Sequence, residues 1–377
     1  MPVEIADWND LDNVRNDLTG DYVLVNDLDS ETAGYGGIGD DFEPIGFIED
    51  DEFTSEFAGS FDGDGFQISD LVIEYDDEGD IALFASTDTG ALIENLSVDG
   101  SVTVTNSSRF FYGGLVGNHT AGTIQNCVSH VDVTSDGGQV GGLVGRNLDT
   151  VTESYATGSV EGDSRVGGLV GENQDTISTS YAVGFVTGNE LVCGLVGQDR
   201  FGPNDISNSY ADSETTSQNV AVGSEDDDDY TNVTTLTTAE MQGSAAETNM
   251  DGFDFANVWA TVEPETIETD TINGQITLDD VAAETATVIL HNFSEPERIV
   301  AALEDGYPIL LSVDKVEQLD SQNVESEKQD NISRTETDTD GNYSAEIPGA
   351  EGDTIAVGVD FDDGTDRYGR LITTVIE

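Results

Sequence analysis

Gly113-Gly-Leu-Val-Gly117 recurs as Gly141-Gly-Leu-Val-Gly145, Gly167-Gly-Leu-Val-Gly171 and Cys193-Gly-Leu-Val-Gly197, with starts 28, 26 and 26 residues apart. Each copy is answered downstream by a second phrase: Gly122-Thr-Ile-Gln-Asn-Cys-Val128, Asp149-Thr-Val-Thr-Glu-Ser-Tyr155, Asp175-Thr-Ile-Ser-Thr-Ser-Tyr181 and Asp205-Ile-Ser-Asn-Ser-Tyr210. Two copies add a third piece, Thr157-Gly-Ser-Val160 and Val183-Gly-Phe-Val186. A fixed period of this size means a stacked array in which each unit covers the open face of its neighbour.

The pieces are short runs of Val, Ile, Leu, Tyr and Thr, set apart by Gly, Asn, Gln and Asp. They are too short for helices and read as strands. Three strands per period, each stacking on its counterpart in the next copy, describe a parallel β-helix. Stacking places Leu115, Leu143, Leu169 and Leu195 in one internal ladder, and Tyr155, Tyr181 and Tyr210 in another. Rungs lie about 4.8 Å apart, close enough for like side chains to pack. The Gly pairs mark corners that need positive φ or close backbone approach.

Gly-Gly-Leu-Val-Gly followed by a Ser-Tyr-Ala phrase resembles the GLUG repeat of bacterial and archaeal surface and virion proteins. The N-terminal phrase Trp-x-Asp-Leu-x-x-Val-Arg, then Tyr-Val-Leu-x-x-Asp-Leu, is similar to the entry of GLUG-type proteins. It looks especially like tail-associated proteins of viruses that infect halophilic archaea.

Charge sets the environment. Asp and Glu number 78 against 11 Lys and Arg, a formal charge of −67. High charge with low hydrophobicity favours disorder, but 36% hydrophobic residues in ordered repeats oppose that for most of the chain. A nucleic-acid mimic or cation sponge would cluster its acids, whereas these are spread over the N-terminal, repeat and C-terminal regions alike. A surface recoded for near-saturated salt fits better, since at 1 M the screening length is about 3 Å. Lys315 and Lys328 are the two lysines. A nucleic-acid face needs clustered Lys and Arg, and the 11 are scattered along the chain, so nucleic acid and anionic membranes are not expected partners. The opening Met1-Pro-Val-Glu-Ile-Ala-Asp has neither a basic region nor an apolar run, so no secretory signal is expected. No stretch approaches the roughly 18 apolar residues of a membrane span.

In chain order, residues 1–30 read as a cap. Asp7 can N-cap a helix with Trp8, Leu11, Val14 and Leu18 on one side and Gly20 as its stop, before a first strand at Tyr22-Val-Leu-Val25. Residues 31–262 form the β-helix, with irregular coils before the clean repeats at 113–210. A degenerate coil lies at Ile81-Ala-Leu-Phe-Ala85 and Ala91-Leu-Ile-Glu-Asn-Leu-Ser97, and residues 49–56 read as a loop. After Tyr210 the period fails, 225–229 is a solvated acidic loop, and Thr237 or Thr238 can cap a short helix. Phe253-Asp-Phe-Ala-Asn-Val-Trp259 resembles the phrase that seals GLUG arrays with aromatics.

Residues 263–377 alternate as antiparallel strands and resemble the carboxypeptidase regulatory-like (transthyretin-like) β-sandwich. Asp338-Thr-Asp-Gly-Asn342 reads as a hairpin turn. The excursion at 293–330 is too long for a sandwich loop. Its Asp305-Gly-Tyr-Pro-Ile-Leu310 is expected to return beside Trp259 on the last coil. The fold class expected is all-β: a right-handed parallel β-helix with an N-terminal capping helix and a C-terminal Ig/transthyretin-like sandwich.

No catalytic, cofactor-binding or metal-ligating residue is assigned. Glycosidic chemistry uses two carboxylates about 5–10 Å apart, but 78 acidic residues let any pair be nominated. No zinc-protease motif, nucleophile elbow or phosphate loop is present. His119, His130 and His291 are scattered, with a structural or solvated role for His130. Cys127 and Cys193 lie at different phases of different coils, which opposes both a disulfide and a metal site. Asp360-Phe-Asp-Asp-Gly-Thr-Asp366 is the best calcium candidate against a reading as a solvated hairpin. Sequons at Asn95, Asn106, Asn118, Asn232, Asn292, Asn331 and Asn342 are glycosylation candidates against chance in a Thr-rich chain.

The function expected from these resemblances is a non-enzymatic virion protein of a haloarchaeal virus: tail fibre, spike or capsid turret. It would be assembled in the host cytoplasm and bind the host's surface glycoprotein or glycan. A homotrimer or another symmetric ring and further virion proteins are the expected partners. A halophile's adhesin or envelope protein is the alternative, and a polysaccharide-degrading tailspike is the second.

Overall fold

The computed structural model describes residues 1–46, 56–76, 79–105, 110–200, 206–223 and 230–261 in full, and beyond them the backbone of the strands named below. The chain divides into two units, residues 1–261 with 307–315, and residues 262–306 with 316–377.

The first unit is a parallel β-helix. Its largest sheet stacks Val3–Ile5, Asp21–Leu24, Ser60–Asp62, Leu92–Val104, Thr123–Ser135, Thr150–Thr152, Ile177–Ser178 and Ile206–Asp212 in parallel register. A four-stranded sheet stacks Phe111–Tyr112, Gln139–Gly141, Ser164–Gly167 and Glu190–Cys193. A six-stranded sheet stacks Phe84–Thr87, Val116–His119, Val144–Asn147, Val170–Asn173, Val196–Asp199 and Val222–Ser224. Leu115, Leu143, Leu169 and Leu195 form the expected ladder. All four are fully buried, and their backbones bond in series at 3.0, 2.9 and 2.9 Å.

The second and third clean coils each hold five short strands rather than three, whereas the first and fourth hold three. In the second, these are Gln139–Gly141, Val144–Asn147, Thr150–Thr152, Tyr155–Ala156 and Val160–Glu161. The Gly-Gly-Leu-Val-Gly phrase is itself a bend, delivering its ends to two different sheets. Its first glycines do not have positive φ. They are glycines because of close approach: a Cβ on Gly142 would meet the Gly168 carbonyl at 2.2 Å. The left-handed corners fall instead on Asn95, Asn126, Glu153, Thr179, Asn208 and Asn232, at φ between 45° and 53°. Asn tolerates that region best among non-glycines. After the corner, a serine column closes the bend: Ser154 N–H donates to Ser180 Oγ, and Ser180 N–H to Ser209 Oγ, both at 3.2 Å.

The array also runs past Tyr210. Val222–Ser224 adds a rung to one sheet, and Thr231–Leu236 pairs in parallel with Ile206–Asp212. At the other end, Asp7 caps the helix Trp8–Asn13 by accepting from Asp10 N–H at 3.0 Å. Trp8, Leu11 and Val14 enter the same core as Ile5 and Leu24, beside the first strand. That covers apolar side chains which an open edge would expose. Thr237 and Glu240 form a capping box before the helices Thr238–Met241 and Gly243–Asn249.

The tyrosines depart from expectation. Tyr155, Tyr181 and Tyr210 stack in register, the first two with centroids 4.7 Å apart and planes 5° off parallel. They form a second cluster, apart from the main core, whereas the following Ala156, Ala182 and Ala211 lie in the main core. Successive strand residues face opposite ways, and the interior there is too narrow for a ring. A Cβ on Gly168 would already stand 2.8 Å from Ala182 Cβ. The tyrosine face is covered by the segment that carries Met241, Met250, Phe253 and Trp259. Phe253 lies 5.9 Å from Tyr210, and Trp259 lies 5.9 Å from Tyr181 and 6.2 Å from Tyr155. The aromatic phrase therefore runs back along the flank of the array as a strap. Trp259–Ala260 pairs antiparallel with Ile309–Leu310.

In the second unit, Thr269–Gln275 pairs antiparallel with Asn342–Pro348. Thr287–Asn292 pairs antiparallel with both Ile332–Glu336 and Thr354–Asp362, and the last of these with Arg367–Val375. Ile332–Glu336 and Asn342–Pro348 thus pair with different partners, and the turn expected at 338–342 lies, but for the backbone of Asn342, outside the described residues. The packing of a sandwich, the loops at 49–55 and 225–229, residues 363–366 of the calcium candidate with the side chains of 360–362, the His291 side chain and the sequons at Asn106 and Asn331 lie outside the described residues. So do the side chains of Asn292 and Asn342.

Candidate functional site

The four- and six-stranded sheets touch backbone to backbone at the last glycine of each motif. A Cβ on Gly145 would come within 2.4 Å of Tyr112 N, one on Gly171 within 2.7 Å of Val140 N, and one on Gly197 within 2.6 Å of Val166 N. Two columns of side chains flank this contact. One holds Asn118, Arg146, Glu172 and Gln198, in register from coil to coil. The other holds Asp80, Phe111, Gln139 and Arg165, beside the register pairs Ile81–Tyr112, Tyr112–Val140 and Val140–Val166. The framework residues Gly, Leu and Val repeat in every copy, whereas these positions change each time.

The columns interlock with an offset of one coil. Asp80 accepts from Phe111 N–H at 3.1 Å and from Asn118. Burial pushes the Asp80 carboxyl up to about 6, against those hydrogen bonds and nearby Arg146. Arg146 lies over the Phe111 ring, 4.3 Å from its centroid. Burial draws its pKa down, while Glu172 and Asp80 hold the charge in place. Glu172, only 2% exposed in its side chain, is paired with Arg165 Nε at 3.4 Å and Arg200 Nη1 at 3.2 Å, and accepts from Gln174 Nε2 at 2.6 Å. Gln139, with its amide nitrogen toward the Phe110 carbonyl at 3.1 Å, accepts from Arg165 Nη1 at 3.0 Å. Arg165 Nε also donates to Gln198 Oε1.

Cations scattered in sequence are therefore gathered by the fold. Three of the chain's 11 basic residues, scattered along the sequence, meet here. Reading which positions of the repeat vary, rather than which stay constant, would have found the seam.

A second polar column is sealed inside. Thr87, His119, Asn147, Asn173 and Asp199 are in register and buried. Asn147 Nδ2 donates to Asn173 Oδ1 at 2.8 Å, and Asn173 Nδ2 to Asp199 Oδ1 at 3.2 Å. His119 breaks this amide chain: Nδ1 is 2.7 Å from Thr87 Oγ1, and Nε2 has no partner. Burial pushes His119 down to about 4, although Asp149 opposes the shift. A histidine held neutral in the fold lets the unfolded chain bind more protons, so its stabilising share is present above pH ~6.5 and is lost as pH falls toward 4. For a shift of this size the loss is about 3 kcal/mol. His119→Asn, matching Asn147 and Asn173, should remove it. Urea unfolding in molar KCl at pH 7 and pH 4.5 should then show a smaller difference for the variant. An unchanged difference would mean that His119 carries none of the acid sensitivity.

The remaining candidates are structural or isolated. His130, half-buried, has Nδ1 2.6 Å from Thr157 Oγ1 and meets the Tyr155 ring edge-on. Cys127 and Cys193 are free and buried, and burial pushes their thiols up to about 12 and about 11. Among the sequons, Asn95 Nδ2 donates to Asp62 Oδ1 at 3.0 Å, Asn118 faces Asp80, and Asn232 is exposed. Among the described residues, no group of three His, Cys, Asp or Glu is placed to hold a metal ion, and no helix is long and apolar enough to cross a membrane.

The GLUG motif matches residues 136–161, one whole coil of the array. Halomucin of Haloquadratum walsbyi is 36% identical over 159 residues, which cover 40% of this chain and 2% of halomucin. A protein of Evansella cellulosilytica, described as a Gly-rich membrane protein, is 31% identical over 174 residues, 38% of this chain and 19% of that protein. The chain thus matches a small part of the length of these relatives, neither of which is named as an enzyme. A Bacteroides ovatus protein described as an immunoglobulin A1 protease superposes with a TM-score of 0.47 at 16% identity, covering 69% of this chain and 90% of that one. A likeness at that level says nothing about chemistry. The first unit is a parallel β-helix, one coil of which matches the GLUG motif.

Proposed function

We propose that this chain is a non-enzymatic surface protein of a halophilic system, a β-helix whose outer face recognises glycoprotein or glycan at a haloarchaeal cell surface. The single observation that carries this reading is the likeness of 159 aligned residues, 40% of this acidic chain, to halomucin. A charge of −67 supports it, because such a surface is tolerable only where salt screens it. The described residues hold polar and aromatic side chains on a repeated frame, which suits binding along a face rather than bond breaking in a cleft.

The virion setting, as tail fibre, spike or turret, is the finer proposal and rests on the N-terminal phrase at Trp8–Arg15 and Tyr22–Leu28. A symmetric homo-oligomer belongs to that proposal. The test is binding of labelled protein to intact haloarchaeal cells in molar salt, before and after the surface glycoprotein is stripped. Saturable binding that is lost on stripping is expected. Absence of binding to any host would remove recognition and leave a purely structural part. Antibody labelling of purified particles against cell envelopes decides the setting.

A further inference from the structure

We infer that Arg146 and Arg200, one rung to either side of buried Glu172, form a binding site for the carboxylate of an acidic sugar in a surface glycan. The inference rests on the recognition reading above for its polymeric setting. Arg146 is stacked on Phe111, which occupies a face of the guanidinium plane and leaves its in-plane N–H groups for other partners. Among the described residues these N–H groups make no hydrogen bond, and Nε is buried without a partner. An unpaired buried donor carries a desolvation cost, and an acceptor arriving from solution removes it. Arg200 spends Nη1 on Glu172 and is 48% exposed in its side chain, so its other donors face outward. Arg200 is also close enough to oppose the charge on Arg146. With Arg165 they bring three guanidiniums to two carboxylates, Asp80 and Glu172, so on a chain of −67 this is a place where an anion is drawn in rather than expelled.

The occupant follows from the brine. Where salt screens beyond a few ångströms, attraction at a distance is lost and direct hydrogen bonds decide. A guanidinium fork fits a carboxylate through two parallel bonds, whereas a spherical chloride ion cannot match it. Successive rungs about 4.8 Å apart suit an extended polymer running along the seam.

The test is calorimetric titration of the full chain in about 3 M KCl, near the salt at which the surface is screened. Polygalacturonate, dextran and dextran sulfate are the probes. Polygalacturonate should bind and dextran should not. Arg146→Lys keeps the charge but loses the fork, and Arg200→Gln removes an exposed group; each should weaken polygalacturonate binding about thirtyfold or more while the far-UV spectrum stays unchanged. No binding of polygalacturonate, equal binding of dextran, or full binding by both variants overturns the site. Binding of dextran sulfate alone overturns the carboxylate assignment. Loss of binding to whole cells, with polygalacturonate binding intact, would instead strike the surface-recognition reading.

Discussion

Diluted from about 3 M to about 0.1 M salt, the β-helix should lose most of its far-UV β-signal, because the screening length grows from under 3 Å to about 10 Å. The chain carries 78 carboxylates and 11 basic groups, and among the described residues the ion pairs are few: Arg15 with Asp12, and Arg165 and Arg200 with Glu172. Self-repulsion is therefore opposed by mobile cations rather than by the protein's own. The interior of the clean coils, built mainly from rows of Val, Leu and Ile, has to hold against that repulsion. Circular dichroism across a KCl series should show a cooperative loss, reversed when salt is restored. Full structure at 0.1 M would refute adaptation to brine and leave the composition without its physical reason.

The largest expected effect of one atom group is at Gly167. Its added Cβ would stand 2.0 Å from the Val170 carbonyl, 2.6 Å from Gly197 N and 2.8 Å from the Leu195 carbonyl. All three are backbone atoms, and two belong to the next coil, so no side chain can turn aside. Gly167→Ala forces neighbouring coils apart at a point where Leu169 N–H and Val170 N–H both donate to the Leu195 carbonyl of the next coil. A loss of more than about 4 kcal/mol, or failure to fold, is expected. Gly36, with nothing within 4 Å of its added Cβ, is the control, and Gly36→Ala should change stability by less than about 0.5 kcal/mol. Urea unfolding in molar KCl measures both. Equal behaviour of the two variants would show that the motif glycines are not held by close approach.

The same glycine shows how far the sequence reaches. Recurrence of Gly-Gly-Leu-Val-Gly announces a stacked coil, and Leu115, Leu143, Leu169 and Leu195 lie buried in line because a repeat repeats its own contacts. The reason for the glycine was not legible. Positive φ and close approach leave the same letter in a sequence, and in the fold positive φ went to Asn126, Glu153, Thr179 and Asn208. The seam of Arg146, Glu172 and Arg165 was hidden because its members lie in different coils and differ in chemistry, so periodicity, which marks sameness, passes over them.

By itself the sequence determined the architecture of the first unit, through the coil period and the leucine ladder, and fixed the chain's strongly acidic charge as a summed property. These are local or summed properties, set by alternation within a few residues and by composition. Tertiary structure alone decided which way the tyrosines face and what lies over them. That choice depends on the room left by Gly142 and Gly168 opposite Ala156 and Ala182, and on a strap carrying Phe253 and Trp259 from the far end of the array. Packing between residues distant along the chain is settled only when both partners are in place, and no window of sequence contains them together.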